Sequence, residues 1–322
     1  MNLLILSCGT RNNLISYFKN SVGDQGKVFA ADCSENAPAL YEADGCFVIP
    51  RITSPDYETE ILRICNQEKI DGVLSLIDPE LSILAKLRSR LAEIGTTVIG
   101  SDYELCELSR DKYQMYQWLS AHGYPCAKSY RSMTEFDRDI ENGTASYPAF
   151  VKPAHGSASV SVFNVENRDD AQNLLSKYED MMIQGFVKGQ EIGADVYIDL
   201  ISGEVVSVFT KKKLVMRAGE TDKAVSFRDP MLFDLIERFC AESGYRGAID
   251  IDLFDVNGSY LISEVNPRFG GGYPHAHLCG CNHVQMIVNN LQGKVNAKQI
   301  GNYADDVYMM KYSEVMLRTS KS

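Results

Sequence analysis

The residues best suited to chemistry lie at 247–268, in Gly-Ala-Ile-Asp-Ile-Asp-Leu-Phe-Asp-Val-Asn-Gly-Ser-Tyr-Leu-Ile-Ser-Glu-Val-Asn-Pro-Arg. Two strand-like runs flank Asn257-Gly258, a dipeptide that favours a tight hairpin turn. Side chains alternate along a strand, so Glu264 and Asn266 share a face. Register decides where Asp252 points: a two-residue loop pairs it with Ser263, whereas a three-residue loop or a bulge pairs it with Glu264. Carboxylates opposed across a sheet repel unless a cation lies between them. Hard oxygen ligands of this kind, with room for phosphates and water, suit Mg²⁺. The plainer alternative is an exposed hairpin with acidic outer positions. Asn-Pro-Arg directly after a strand is poor sheet chemistry and argues for another purpose.

Lys152-Pro153 precedes the small-residue loop Gly156-Ser157-Ala158-Ser159. A lysine at a strand end can reach phosphates as a point charge, and small residues let backbone N–H groups close over phosphate oxygens. No Gly-Lys-Ser/Thr opens a helix here, so the loop is not a Walker A loop; a surface turn would look similar. In Gln184-Gly185-Phe186-Val187-Lys188-Gly189-Gln190-Glu191, a strand runs into a hinge whose free backbone groups could meet a purine edge, with Glu191 accepting from sugar hydroxyls. The run Lys211-Lys212-Lys213-Leu214-Val215-Met216-Arg217 places Lys211 and Lys213 on one strand face. It reads either as a solvated charge run or as positive charge brought to a phosphoryl-transfer site.

Taken in this order, the three pieces resemble the ATP-grasp superfamily, and within it the carbamoyl phosphate synthetase-like ligases. Biotin carboxylase and D-alanine–D-alanine ligase are more distant likenesses. The resemblance implies a pre-ATP-grasp domain over 1–105, a small grasp lobe with its lid over 106–190 and a large lobe with the metal site over 191–322. It implies Lys112 and Lys152 as nucleotide lysines, Gly156, Ser157 and Ser159 in the lid, Gln184, Phe186 and Val187 at the adenine, and Glu191 at the ribose. Asp252, Glu264 and Asn266 would carry Mg²⁺, for which Mn²⁺ can substitute. Arg268 would face the transferred phosphoryl group, with Arg217 first and Lys213 second as further catalytic cations. The family position at 252 is often Glu or Gln and here is Asp. One grasp unit and no glutaminase part fall within the chain, so it is not a whole carbamoyl phosphate synthetase. The implied activity is ATP-dependent joining of a carboxylate to an amine through an acyl phosphate. A non-catalytic nucleotide-binding module and a bicarbonate-activating carboxylase are the alternatives. The resembled ligases are often homodimers.

Phe269-Gly270-Gly271-Gly272-Tyr273-Pro274-His275-Ala276-His277 follows the hairpin. Triple glycine exposes backbone N–H groups, which makes Gly271, Gly272, His275 and His277 candidate substrate contacts beside Arg268. His275, His277, Cys279, Cys281 and His283 recur at every second residue, a zinc pattern only on a strand, and the glycines and Pro274 oppose a strand. Cys8-Gly9-Thr10-Arg11-Asn12 lacks Gly-x-Gly-x-x-Gly, so a nicotinamide dinucleotide is disfavoured. Thr10, Arg11, Asn12 and Asp32 are instead read as acceptor contacts, and Asp78 as a contact or a helix cap.

The elements that must hold these residues change character along the chain. Up to about residue 100, strands at Leu3–Ser7, Lys27–Ala31, Ile70–Ile77 and 97–99 alternate with helices, one carrying Leu81, Leu84, Leu87, Leu91 and Ile94 as a stripe. That rhythm predicts a parallel α/β sheet covered by helices. Ser101-Asp102-Tyr103-Glu104 has capping-box spacing, and a helix over Asp111–Ala121 ends at Gly123. Beyond it, strands with a few helices predict an α+β region. Of the 322 residues, 45% are hydrophobic and 23% charged, ordinary globular proportions. A net charge of −11 makes nucleic acid and anionic membrane poor partners and leaves small molecules as the expected ones. Nine cysteines without Cys-x-x-Cys fit a reduced, cytoplasmic chain.

Overall fold

The computed structural model describes residues 1–156 and 161–319. The first sheet contains β1 (Asn2–Leu6), β2 (Lys27–Asp32), β3 (Gly45–Val48), β4 (Gly72–Ser75) and β5 (Thr97–Val98), all parallel, in the order β3-β2-β1-β4-β5. Leu3, Leu4, Ile5 and Leu6 are all buried, as an unalternating apolar strand requires when both faces are covered. Leu3 and Ile5 pack with α1 (Asn12–Val22); Leu4 and Leu6 pack with α2 (Tyr57–Gln67) and with Leu84, Leu87 and Leu91 of α3 (Asp78–Glu93). The expected capping box does not form. Asp102 precedes α4 (Tyr103–Arg110) without a side-chain cap, because Ser101 Oγ is drawn instead to the Arg246 N–H at 3.0 Å.

Asp111 caps α5 (Lys112–Ala121), its carboxylate accepting from Tyr113 N at 2.9 Å and Gln114 N at 3.0 Å. A second, antiparallel sheet follows: β6 (Ser129–Tyr130), β7 (Ala149–Pro153), β8 (Phe163–Val165) and β9 (Met181–Gly185), in the order β6-β9-β7-β8. It is backed by α6 (Met133–Glu141) and α7 (Arg168–Lys177).

The third sheet is antiparallel, in the order β14-β13-β10-β11-β12-β15. Its strands are β10 (Gln190–Ile198), β11 (Val205–Arg217), β12 (Glu220–Phe227), β13 (Gly247–Val256), β14 (Ser259–Asn266) and β15 (Tyr308–Met310). One face buries Val196, Ile249 and Ile251 under Leu232, Ile236 and Phe239 of α8 (Pro230–Ser243). The other face meets the first domain. Phe18 and Leu3 share one core cluster with Phe209, Phe269 and Tyr273, the last opening α9 (Tyr273–Leu278), and with Ile287 of α10 (His283–Leu291). This apolar seam fixes the ends of the first sheet against the large one.

Asn257 and Gly258 both have positive φ (53° and 86°), which is the two-residue type I′ hairpin. Below the turn Leu253 pairs with Ile262, yet Asp252 pairs with Glu264. Ser263 is therefore a bulge. Tight turn and bulge coexist, and together they set the two carboxylates opposite each other.

Candidate active site

Register lines up one face of the large sheet. Asp252 of β13 lies between Gly193 of β10 and Glu264 of β14; in the next row Asp250 lies between Asp195 and Asn266. Lys211 of β11 pairs with Gly193 from the other side. Alternation keeps all of these on one face. Asp252 and Glu264 each meet a lysine: Lys213 Nζ bonds Asp252, and Lys112 Nζ lies 3.6 Å from Glu264 Oε1 while also donating to the Gly156 carbonyl. Burial works against the charge on Lys213, but Asp252 and Asp250 outweigh it and raise its pKa. Asp250 is pushed above the usual carboxylate range, first by burial and then by Asp252. Lys211 and Asp195 form a second pair, almost wholly inaccessible to solvent.

Lys152 reaches the same centre from β7 and donates to Gln184 Oε1 at 2.7 Å; Gln184 in turn donates to Ser129 Oγ at 3.2 Å. Burial lowers the Lys152 pKa to about 8; Glu264 partly offsets this and neighbouring Lys112 reinforces it. The phenyl ring of Phe186 is exposed, its centroid 5.6 Å from that of Phe150, and Val187 and the exposed Glu191 continue along the hinge between the two antiparallel sheets. Ser157 and Ser159 of the expected lid lie outside the described residues.

Arg268 leaves β14 and turns toward the first domain. Its Nε lies 2.9 Å from Asp78 Oδ1, its Nη2 donates to Asp78 Oδ2 at 3.0 Å, and Nη2 also lies 3.3 Å from Asn266 Oδ1. Asp78 opens α3, so the first domain supplies the counter-ion of the candidate catalytic arginine. Arg11 joins the same wall: Glu220 Oε1 lies 2.7 Å from Arg11 Nη2, and Glu220 Oε2 accepts from Lys311 Nζ at 2.9 Å.

The triple glycine packs over these charges. A Cβ on Gly270 would lie 2.5 Å from the Asp250 carboxyl carbon, one on Gly271 2.6 Å from the Glu220 carboxyl carbon, and one on Gly272 2.8 Å from Lys211 Nζ. Among the other expected contacts, His275 is buried, with Nε2 2.9 Å from the Val307 carbonyl, and burial with nearby Lys211 takes its pKa to about 4. The His277 ring stacks on Tyr17 with centroids 3.6 Å apart. Arg217 lies exposed at the end of β11, beside the Ala218–Gly219 turn, whereas Lys213 is in the site. Asp32 is engaged locally, accepting from Gly9 N and Ser34 N at 2.9 Å each. Asp195, Asp250, Glu220 and Lys311 line the candidate site, and the sequence reading does not name them; the even spacing of Asp195 from Glu191 along one strand is the available signal for the first.

Two opposed carboxylates and one amide oxygen, ringed by cations, fit Mg²⁺ that takes its other ligands from phosphate and water. Among the described residues no three His, Cys, Asp or Glu side chains are grouped so as to hold a metal ion, and His275 and His283 are engaged elsewhere, which leaves no zinc cluster there.

Residues 109–272 match the family model of the ATP-grasp domain, and residues 3–99 that of the PylC-like N-terminal domain. The arginine-specific carbamoyl phosphate synthase large chain of Bacillus subtilis is 25% identical over 242 residues, 68% of this chain and 23% of that protein. The carbamoyl-phosphate synthase of Methanobrevibacter smithii is 23% identical over 92% of this chain and 84% of its own length. The biotin carboxylase domain dimer of Hydrogenobacter thermophilus 2-oxoglutarate carboxylase, solved with MgADP, ADP and bicarbonate, shares the fold with a TM-score of 0.75 at 16% identity, over 95% of this chain and 73% of that chain.

Proposed function

The chain belongs to the ATP-grasp family, whose ligases use ATP with Mg²⁺, and from that premise we propose that it is an ATP-dependent carboxylate–amine ligase. The observation that carries this reading is Asp252 set opposite Glu264, with Asn266 in the next row and Lys112, Lys152, Lys213 and Arg268 around them. A site that keeps repelling carboxylates together among phosphate-binding cations is arranged for a triphosphate with its divalent ion.

The substrate carboxylate attacks the γ-phosphorus, ADP departs, and an amine then displaces phosphate from the acyl phosphate to leave an amide. Magnesium, held by Asp252, Glu264 and Asn266 when bound, neutralises phosphate charge. Lys152 and Lys112 hold phosphate oxygens, Gln184 orients Lys152, and Phe186 and Val187 flank the base while Glu191 accepts from the ribose. Arg268 and Lys213 stabilise charge on the transferring group. Asp78 and the seam around Phe18 and Phe269 place Arg268, so positioning supplies much of the rate. The substrates are small molecules, in keeping with the acidic surface, and among the described residues no helix is long and apolar enough to cross a membrane. A homodimer and a cytoplasmic location complete the proposal.

Phosphate release measured over panels of acids and amines, with mass spectrometry of the product, tests it. Release that needs both partners, with amide formed, is the expected result. Turnover with bicarbonate alone would make the enzyme a carboxylase. Nucleotide binding without turnover on any panel would make it a regulatory module.

A further inference from the structure

Gly193 sits at the centre of the charged face, between Lys211 on one strand and Asp252 on the other. It is the vacant square across which two lysines reach. A Cβ built on it would lie 3.0 Å from Lys211 Cε and 3.2 Å from Lys213 Cε. Both lysine stems reach over Gly193, that of Lys211 ending on Asp195 of β10 itself and that of Lys213 crossing β10 to Asp252 of β13. The backbone at Gly193 lies outside the left-handed region, so a larger residue would be unstrained in conformation. What the position demands is the absence of a side chain.

We propose that Gly193 is a positioning residue that seats the ammonium of Lys213 against Asp252. This rests on the ligase reading above. One added methyl must displace a lysine stem, and the two are not equally able to yield. Lys211 is 1% exposed, paired to a 3% exposed Asp195 and covered by Gly272. Lys213 is itself 7% exposed, and its partner Asp252 is 30% exposed and borders the site, so this pair is the less enclosed of the two. Lys213 therefore moves. The stem must give by a few tenths of an ångström, which shifts its charge from the place where the transferring phosphoryl group needs it; since about 1 Å costs roughly 10²-fold in rate, a shift of that size costs about fourfold.

The test compares Gly193→Ala, Lys213→Met and the double variant, each checked by circular dichroism and thermal melting. Gly193→Ala should lower kcat by about fourfold with little change in the KM for ATP, and the double variant should be no slower than Lys213→Met alone. Reductive methylation followed by peptide mass spectrometry reads the same displacement without turnover: Lys213 should modify at least about twofold faster in Gly193→Ala, as its pairing with Asp252 loosens, while Lys211 is unchanged. Multiplicative losses in the double variant, an unchanged Lys213 modification rate, or loss of the fold on adding one methyl would each overturn the proposal, the last because a yielding lysine stem tolerates a methyl. Should the wild type turn over no acid–amine pair, the ligase reading fails, and the methylation comparison still decides the seat of Lys213.

Discussion

Arg268 and Asp78 belong to different domains and lie 190 residues apart in sequence, yet they meet in a two-point ion pair with both side chains at least four-fifths buried. The guanidinium we propose to face the transferring phosphoryl group is thus oriented from the far side by the first residue of a helix in another domain. Removing one partner of such a pair leaves a charge buried without its counter-ion, at a cost of about 3–5 kcal/mol in fully buried cases. On the proposed role of Arg268 in phosphoryl transfer, Asp78→Ala should lower kcat by at least about tenfold while changing the KM for ATP little. Steady-state kinetics on the purified variant decides this; an unchanged kcat removes the first domain from the chemistry.

Asp252 and Glu264 repel each other unless a cation intervenes, and in the free protein Lys213 and Lys112 play that part. Glu264→Ala and Asp252→Ala should therefore lose turnover and weaken Mg²⁺-dependent ADP binding by at least about tenfold, without a large loss of fold. Calorimetric titration of ADP with and without Mg²⁺ separates the two effects. Near-normal turnover in both variants would rule these residues out as the metal ligands.

Lys152 titrates near pH 8 because burial disfavours its charge. Binding a phosphate needs the ammonium. Below about pH 8 the free protein already carries it, so ADP affinity is independent of this group. As pH rises above that point the proton must be taken up on binding, and affinity should fall about tenfold per unit until the bound lysine itself titrates. Lys152→Met should bind weakly and show no such slope. A wild-type profile flat from pH 7 to 10 would contradict the assignment.

Periodicity alone put Glu264 with Asn266, and Lys211 with Lys213, on shared faces, because alternation is a local property of a strand. It did not choose between Ser263 and Glu264 as the partner of Asp252. That choice depends on a one-residue bulge, and no residue type announces it. The same limit explains Arg217: its strand was legible, but the site lies beside the Lys211–Lys213 segment and the strand runs on past it to an exposed turn. Asp78 was readable as a helix start, as was Pro79 behind it. Its role toward Arg268 comes from packing between domains through Phe18, Phe269 and Tyr273, which no single stretch of sequence contains. Helix α6 escaped for a different reason: its apolar residues Met133, Phe136 and Ile140 are few among charged neighbours, and its amphipathic signal is short.

Asp199 tests what keeps the large sheet in place. Fully buried at the end of β10, its carboxylate accepts from Ile201 N at 3.0 Å, Ser202 N at 2.9 Å, Asn290 Nδ2 at 2.8 Å, Asn296 N at 2.9 Å and Asn296 Nδ2 at 2.8 Å. The network ties the β10–β11 turn to α10, which forms part of the seam with the first domain. Burial alone would raise the pKa, but the donors from Asn290, Ser202 and Asn296 together hold it down, from 3.8 to about 2. A depressed carboxylate contributes stability that is complete above its unfolded pKa near 4 and is lost as pH falls through about 2. The shift corresponds to about 2 kcal/mol, at about 1.4 kcal/mol per unit. Asp199→Ala leaves the donors without an acceptor and should destabilise the protein by about 3 kcal/mol at pH 7. Urea unfolding at pH 7, 4 and 2.5 should show the gap between wild type and variant nearly unchanged at pH 4 and narrowed by about 1.5 kcal/mol at pH 2.5. A gap that closes by pH 4, or none at pH 7, would mean the network does not hold the sheet.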